Sequence, residues 1–576
     1  MTSGHRSCFR ALAVALSAAL LFAPTASAQT RAAPGQRARW DAVVAEFLKV
    51  YFAARPELAV GAGLHEYDGR LPDWSDAGRA SFDSLLTTWR AQVTAFDTTG
   101  MNADRRLERQ IVLARLDREL WWQKSYDAPH RSPAYYSGSL DPDVYLRRPY
   151  APLPQRMRAY IRYARSVARV APQIRANLRP PLARTMIDRG RGAFGGYASF
   201  YRDEVPRVFA SVKNPALQRE LKRANDSAAA AMQALDAWLE TQRSTQTEDF
   251  ALGAAKFREM LYAIERVDTS LEELERIGRA DLARNQAALR AECARYAPGA
   301  TLEACMRKAD AHKPSENTVV AARKQLTTLR RFLVDHDVVS IPSAELALVG
   351  ESPPYQRYNS AYITIPGPYD RGMPATYYVA PPDPSWTAEQ RAGYIPGVAN
   401  LWFISAHEVW PGHFLQFLHA KRSRSTFGRL FVGYAYAEGW AHYTEEMMWD
   451  VGFGAGDPEM HIGQLSNALL RDVRYLSAIG LHTRGMSVAE SERMFREEAY
   501  QPEATARQQA ARGTFDPQYL SYTMGKLMIR KLRDDWTASR GGKAAWRRFH
   551  DQFLSYGGPP IPIVRQMMMG KAGPLF

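Results

Sequence analysis

The sequence is poor in cysteine, with three among its 576 residues. Cys8 falls in the N-terminal leader, so only Cys293 and Cys305 remain for the rest of the chain. Pro298-Gly299 lies between them and permits a turn, which favours a disulfide in an exported protein; two free thiols are the alternative. The chain has no second cysteine pair and no reactive-cysteine motif, which argues against a cysteine-rich zinc site and against thiol catalysis.

Long apolar runs are also absent, apart from one near the start. Residues 11–22 form an apolar stretch that is too short to span a bilayer comfortably, and small residues at 26–28 form a cleavage site. We therefore expect a signal peptide at residues 1–28 that is cleaved near Ala28, with an uncleaved anchor as the alternative. We expect no transmembrane segment in the mature chain, which we place in the periplasm or outside the cell.

The positive charge of the chain is not concentrated in one segment. Lys and Arg number 75 against 60 Asp and Glu, a net charge of +15, and the basic residues are spread among acidic ones. No aromatic-basic motif or finger spacing accompanies them, so we expect no nucleic-acid partner. The glycines at 190–195 match a dinucleotide pattern, but no strand leads into them, and the chain has no Gly-x-Ser-x-Gly elbow.

Helical periodicity fills most of the first half. Apolar residues recur at helical spacing over 107–120, and Ser270 with Glu273 forms a capping box. Over 340–400, prolines and glycines cluster around short β-rich runs. We predict a mainly α fold of many helices, with a small β-hairpin or sheet before the helix that starts near residue 400; an irregular surface segment is the alternative to the sheet.

The change in character near residue 340 indicates how the chain is divided. We predict an N-terminal helical lobe over residues 29–340 and a C-terminal catalytic part over 341–576. The catalytic part contains a β-rich insert at 350–385 and a metal site at 407–445. A mature chain of about 550 residues is long enough for a large core and more than one lobe.

The most informative stretch is His-Glu-Val-Trp-Pro-Gly-His at 407–413. Two imidazoles flank a carboxylate, and such groups are typical ligands of hydrolytic zinc sites. On a regular helix six residues rotate by about 240°, so the two imidazoles would point apart. Pro411 removes a backbone donor and Gly412 permits unusual backbone angles. We therefore expect a broken turn that swings His413 back towards His407.

A second motif, Glu-Gly-Trp-Ala-His-Tyr-Thr-Glu, follows at 438–445. Together with 407–413 it resembles the His-Glu-x-x-Pro-Gly-His and Glu-Gly-Trp-Ala-x-Tyr-x-Glu signature of a large bacterial family labelled as a domain of unknown function. That family is grouped with the gluzincin-like, peptidase MA-type zinc peptidases. Weaker similarities at 55–75 and 520–526 extend the resemblance over most of the chain. The resemblance implies a zincin-like metallopeptidase fold with one Zn²⁺ per chain.

The two motifs supply the candidate metal ligands and the candidate base. His407 and His413 are the first two ligands, and the resemblance implies Glu438 as the third. His442 lies one turn beyond Glu438, so on geometry alone it is an alternative ligand. Otherwise we expect it to lie directly behind the ligands. Glu408 is expected to act as general base, taking a proton from the attacking water and passing it to the leaving amine.

Further side chains are candidates for supporting roles. Glu445 returns to the face of Glu438 and is placed to orient a ligating histidine, with a solvated glutamate as the alternative. Tyr522 is the candidate donor to a developing oxyanion, and His482 is the runner-up. Arg471, Arg474 and Arg512 could bind a substrate carboxylate or else form structural ion pairs. The resemblance also implies a substrate-binding edge strand, with Tyr377 and Tyr378 as its candidate residues.

These observations together predict an exported zinc-dependent metallopeptidase that hydrolyses peptide bonds. A metallohydrolase of a non-peptide amide or ester and a binding protein without catalysis are the alternatives. The sequence leaves open the side-chain preference, the choice between exopeptidase and endopeptidase, and the oligomeric state. It also leaves open whether manganese or cobalt replaces zinc.

Overall fold

A computed structural model of the protein describes residues 36–352, 356, 360–382 and 386–576. The expected signal peptide and its cleavage site lie outside these residues, as does part of the β-rich insert. The described residues form many helices and one small sheet, which confirms the predicted mainly helical fold.

The first part of the chain alternates long and short helices. Two of them begin where the sequence supplies a cap, because the Ser75 hydroxyl accepts a hydrogen bond from Gly78 N and the Asn102 side chain accepts one from Arg105 N. Their apolar faces share a core around Trp40. The helices are α1 (Gln36–Ala54), α2 (Pro56–Gly61), α3 (Asp76–Ala95), α4 (Ala103–Leu120), α5 (Ala128–Arg131), α6 (Pro133–Ser137) and α7 (Asp143–Arg147).

A second core is rich in tyrosine. It involves helices α8 (Leu153–Asn177), α9 (Arg184–Asp203), α10 (Val205–Phe209) and α11 (Pro215–Thr241). The buried hydroxyls of Tyr160 and Tyr163 donate to Asn225 Oδ1 and to the Leu140 carbonyl, at 2.6 and 2.5 Å. Burial therefore leaves these polar tips paired, as a stable core requires.

The largest core joins the middle of the chain to its C-terminal part. The middle helices are α12 (Ala254–Glu265), α13 (Leu271–Tyr296), α14 (Leu302–Ala311) and α15 (Thr318–His336). A disulfide between Cys293 and Cys305 links α13 to α14, with the two Cα atoms 5.8 Å apart. Buried residues of these helices pack in one cluster with Phe403 and Trp440 of the C-terminal part. The segment that precedes residue 340 therefore contributes directly to the core beneath the two motifs.

A three-stranded sheet precedes the motif-bearing helices. Its strands are β1 (Leu348–Glu351), β2 (Ala361–Thr364) and β3 (Thr376–Val379), in the order β1-β3-β2. The central strand β3 runs parallel to β1 and antiparallel to β2, so that Tyr378 pairs with both Gly350 and Tyr362. β2 is therefore an edge strand, whereas both edges of β3 are paired with neighbouring strands.

The C-terminal helices surround the motifs. Gly439 and Gly525 meet where two of these helices cross, and a Cβ on Gly439 would lie 2.5 Å from the Gly525 Cα, so backbones touch there. Among the described residues, no helix combines the length and the apolar character needed to cross a membrane. The C-terminal helices are α16 (Ala388–Tyr394), α17 (Val398–Glu408), α18 (His413–Ala420), α19 (Thr426–Leu430), α20 (Tyr434–Asp450), α21 (Pro458–Thr483), α22 (Val488–Glu497), α23 (Glu503–Phe515), α24 (Ser521–Thr537), α25 (Trp546–Ser555) and α26 (Ile561–Met569).

Candidate metal centre

The first motif is split between two helices. α17 ends at Glu408 and α18 begins at His413, with a cis peptide bond between Trp410 and Pro411. A Cβ on Gly412 would lie 1.7 Å from the His407 carbonyl oxygen, so only glycine fits this close approach. The break that the Pro-Gly pair predicts is therefore present.

The break brings three side chains of the two motifs together. The ring centroids of His407 and His413 lie 4.8 Å apart, at an interplanar angle of 87°. Glu438 projects from α20 between them, and its Oε2 lies 3.4 Å from each Nε2. One candidate ligand atom from each of the three residues lies within 4.8 Å of the others. Two imidazoles and one carboxylate form a donor set that catalytic zinc sites use, with a fourth position left for water or substrate.

The Glu438 carboxylate provides a further test of fit. Its Oε2 is buried and has no hydrogen-bond donor among the described residues. A buried oxygen without a partner costs free energy. Burial raises the pKa of this carboxyl group, but the neighbouring His413 and His407 outweigh burial and lower it well below its usual range. An ionised oxygen that faces two imidazoles suits a divalent cation.

A second set of polar groups fixes His407 from behind. Its Nδ1 lies 2.6 Å from Glu445 Oε1, which in turn lies 3.1 Å from Arg471 Nη2. Arg471 Nη1 also donates to the Asn467 carbonyl at 3.0 Å. A carboxylate on one ring nitrogen orients the other towards a metal, which is the arrangement that ligating histidines usually show.

His442 lies behind Glu445 and outside the three-residue cluster. Its Nδ1 is 3.5 Å from Glu445 Oε2, and neither ring nitrogen has a hydrogen bond within the described part of the chain. Burial, followed by the nearby Lys526 ammonium, lowers the pKa of His442 to about 3, so the ring is neutral. His442 thus lies in the layer behind the three candidate ligands, and Glu438, not His442, joins the two histidines in the cluster.

Glu408 and Tyr522 line the cavity in front of the three ligands. Burial raises the pKa of Glu408, an effect that His413 and His407 partly offset. The Tyr522 ring lies 6.3 Å from the His407 ring, centroid to centroid, at an interplanar angle of 17°. The candidate base and the candidate oxyanion donor therefore share one space with the ligands.

His482 does not reach this space, contrary to its role as runner-up donor. Its Nε2 lies 2.8 Å from the Gly513 carbonyl, and its ring stacks on Phe257 at 5.9 Å. Burial lowers its pKa to about 4. His482 instead links α21 to α23 and packs against the middle helices.

Tyr377 and Tyr378 also lie away from the cavity. Both belong to β3, whose two edges are covered by β1 and β2, so neither can take part in strand addition. Tyr377 is fully buried, with its hydroxyl 3.5 Å from the Ser405 hydroxyl, and Tyr378 lies under the Arg147 guanidinium. The cavity is lined instead by residues of the edge strand β2, including Ala361 and Ile363.

The cavity has a volume of about 2320 Å³. It lies between the first helices of the chain, which contribute Phe52 and Trp122, and the motif-bearing helices. Most small-molecule sites have volumes of about 300–1,000 Å³. The volume of this cavity is therefore larger than a compact small-molecule ligand requires.

The three candidate arginines differ in their surroundings. Arg471 contacts Glu445, and Arg512 pairs with Asp516 at 2.9 Å. Arg474 donates from Nε to Gln509 Oε1 at 2.7 Å. All three arginines line the cavity.

Tyr434 and Gln509 are cavity residues that the sequence analysis missed. The Tyr434 hydroxyl accepts a hydrogen bond from Arg512 Nη2 at 2.9 Å, and its ring contacts that of Tyr522. Tyr434 lies four residues before Glu438 on α20, a spacing that places two side chains on one face of a helix. That spacing was the available signal for Tyr434, whereas nothing in the sequence marks Gln509.

A family model described as a bacterial protein of unknown function (DUF885) matches residues 56–568. The chain belongs to this family. The match includes both motifs, all three candidate ligands and the three catalytic candidates Glu408, Tyr522 and His482. No curated protein matches the chain.

Two solved structures share the fold of this family member. A protein described as a lipoprotein of unknown function from Shewanella oneidensis is 23% identical, with a TM-score of 0.76 over 93% of this chain and 100% of its own. A protein described as a lipoprotein from Colwellia psychrerythraea is 17% identical, with a TM-score of 0.78 over 93% of this chain and 99% of its own. At these identities the likeness establishes the fold.

Proposed function

We propose that this protein is an exported zinc-dependent metallopeptidase. The observation that carries the proposal is the convergence of His407, His413 and Glu438, with the Glu438 Oε2 buried and without a hydrogen-bond donor among the described residues. Glu408 lies beside this cluster in the same cavity. Such a donor set with an adjacent carboxylate is the common composition of hydrolytic zinc sites.

The residues of the chain divide the chemistry among them. When bound, zinc supplies Lewis-acid chemistry, which polarises a carbonyl group and makes water more acidic. Glu408 accepts the proton of the attacking water and returns it to the leaving amine nitrogen. Tyr522 donates a hydrogen bond to the carbonyl oxygen as negative charge develops on it. Glu445 and Arg471 hold the His407 ring in place throughout.

The raised pKa of Glu408 is consistent with this role. A carboxylate with its ordinary pKa is a weak base at neutral pH, and burial makes its charged form less stable and hence more basic. The carboxyl group is thus better matched to accept a proton from water and to release it later.

A peptide substrate is favoured by the walls of the cavity. The edge strand β2 contributes Ala361, Tyr362 and Ile363 to the lining of the cavity that also contains the candidate ligands. An extended peptide can add to such an edge through main-chain hydrogen bonds, which hold any sequence. The volume of about 2320 Å³ accommodates a chain of several residues.

Export is supported by the leader that the sequence predicts and by the similar proteins. Both proteins of shared fold are described as lipoproteins, a class of exported protein. The disulfide between Cys293 and Cys305 suits an oxidising compartment. We place the mature chain in the periplasm or outside the cell.

The direct test is a digest of a mixed peptide library by the purified mature protein, read by mass spectrometry. Parallel samples contain protein stripped of metal by a chelator and protein restored with one equivalent of zinc. We expect cleavage that is lost on stripping and regained with zinc. Cleavage that persists without metal, or turnover of simple esters and amides with no peptide cleaved, would contradict the proposal.

A further inference from the structure

One buried arginine of the cavity has no carboxylate partner among the described residues. Arg471 is paired with Glu445 and Arg512 with Asp516. Arg474 lies three residues after Arg471 on α21, yet among the described residues no carboxylate forms an ion pair with it. Its protein partner is the neutral side chain of Gln509.

Arg474 is also deeply buried, with 8% of its surface exposed. Its guanidinium carbon lies 4.9 Å from the centroid of the Tyr522 ring, and the residue lines the cavity. The bond from Nε to Gln509 Oε1 fixes the plane of the guanidinium group. Among the described residues the two terminal nitrogens form no hydrogen bond, which leaves them for a planar, bidentate acceptor.

A buried cation without a counter-charge is unusual in a folded protein. Burial is the main cause that lowers the pKa of Arg474 to about 10, and the positive charge of Arg512 adds to it. Buried charges are normally paired, because desolvation is costly. The missing partner is therefore expected to arrive with a ligand.

We propose that Arg474 binds the C-terminal carboxylate of the peptide substrate, so that the enzyme is a carboxypeptidase. This inference rests on the proposed peptidase function. A terminal carboxylate is planar and matches the two nitrogens that Arg474 presents towards the cavity. The backbone of the substrate would then extend from Arg474 past Tyr522 to the metal centre.

The position of Arg474 limits the length of the released fragment. Both groups are close to Tyr522, whose ring lies 4.9 Å from the guanidinium carbon of Arg474 and 6.3 Å from the His407 ring. Since an extended chain covers about 3.3–3.6 Å per residue, these distances span at most about three residues. The expected products are single amino acids, dipeptides or tripeptides from the C-terminus.

The binding test uses zinc-loaded protein carrying Glu408→Gln, which removes the candidate base. Calorimetry measures the Kd of one peptide as its free acid, as its C-terminal amide, and as an amide with a glutamate near the end. We expect the free acid to bind about 10- to 100-fold more tightly than either amide. Adding Arg474→Met should remove that preference, whereas adding Arg474→Lys should retain part of it.

The matched control is Arg496→Met, which removes an exposed arginine from the same cavity wall. This control should leave the preference for the free acid intact. Thermal unfolding provides a second readout, because an arginine with a structural role would lower Tm when replaced. We expect the Tm of Arg474→Met to equal or exceed that of the parent protein.

The outcomes separate this inference from the proposed function. Equal binding of acid and amide, or a preference that survives Arg474→Met, would overturn the inference even if peptides are cleaved internally. An amide with glutamate that binds as well as the acid would also overturn it, by assigning Arg474 to an acidic side chain. If the acid binds through Arg474 but the zinc-loaded native protein cleaves no peptide, the peptidase function fails and the carboxylate site stands.

Discussion

Two ends of the group of charged residues around Tyr522 differ in the sign of the charge that lacks a partner. At the metal end, His407 is held by Glu445, Glu445 is held by Arg471, and the oxygen without a donor belongs to Glu438. At the other end, Arg474 has a neutral partner and a neighbouring cation, Arg512. One end therefore lacks a cation and the other lacks an anion, and we infer that a metal and a substrate carboxylate complete them.

The comparison teaches where burial signals function. Many buried charges of this protein are paired, such as Lys526 with Asp281 at 2.5 Å in the interior behind the site. A buried pair of this kind is complete and needs no ligand. Glu438 and Arg474 are exceptions, and both line the same cavity near Tyr522. We infer a functional role for them from this incompleteness more than from their burial.

The largest effect is expected from Glu408→Gln at the metal end. The amide cannot accept the proton of the attacking water, so the rate of peptide cleavage should fall about 10²- to 10⁴-fold. The metal ligands are untouched, so zinc content measured by mass spectrometry should stay near that of the native protein. Activity equal to that of the native protein would remove Glu408 from the mechanism.

A smaller effect at the same end is expected from Glu445→Gln. The amide weakens the charged partner of His407 Nδ1, and such changes behind a ligand typically cost about 10- to 100-fold in metal affinity. Competition with a zinc chelator measures the change. His442→Gln is the matched control, since His442 lies on the far side of Glu445 and should alter zinc affinity less. An unchanged affinity in Glu445→Gln would show that the His407 ring is fixed by other contacts.

The smallest effect is expected away from Glu438 and Arg474, in an ion network around His65. His65 contacts Asp68 and Asp370 through its two ring nitrogens, at 3.0 and 3.4 Å. Burial opposes its charge, but the two carboxylates outweigh burial and raise the pKa of His65 to about 9. Tyr150 stacks on the ring, and Arg148 also pairs with Asp370.

The sign of the pH dependence follows from this raised pKa. The folded protein holds the proton more tightly than the unfolded chain, so the stabilisation is complete below about pH 6.5 and is lost as pH rises through about 9. His65→Gln should lower the free energy of unfolding by about 1 kcal/mol at pH 6, because the group is partly exposed, and by less at pH 10. Urea unfolding at the two pH values measures both. A deficit that grows with pH would contradict the assignment.

The sequence predicted the convergence of His407 and His413 better than the rest of the candidate site. Pro411 and Gly412 are local signals, and the broken turn they favour depends on a few neighbouring atoms. The position of Glu438 depends on how α20 packs, which no local signal predicts. Its assignment as the third ligand came from the family resemblance.

The remaining differences arise from contacts between distant segments. The resemblance implied an edge strand at Tyr377 and Tyr378, but strand order is not encoded locally, so the central position of β3 and the burial of Tyr377 were not foreseen. His482 is held by Gly513 and Phe257, which lie far from it in sequence. Whether an arginine has a carboxylate partner, as Arg471 does and Arg474 does not, likewise depends on the packing of several helices.

The most direct test of the central claim is anomalous diffraction at the zinc edge from crystals of the zinc-loaded protein. We predict one strong peak per chain, about 2.0–2.2 Å from His407 Nε2, His413 Nε2 and a Glu438 carboxylate oxygen. A peak elsewhere, or none at this position in crystals that contain zinc, would contradict the account.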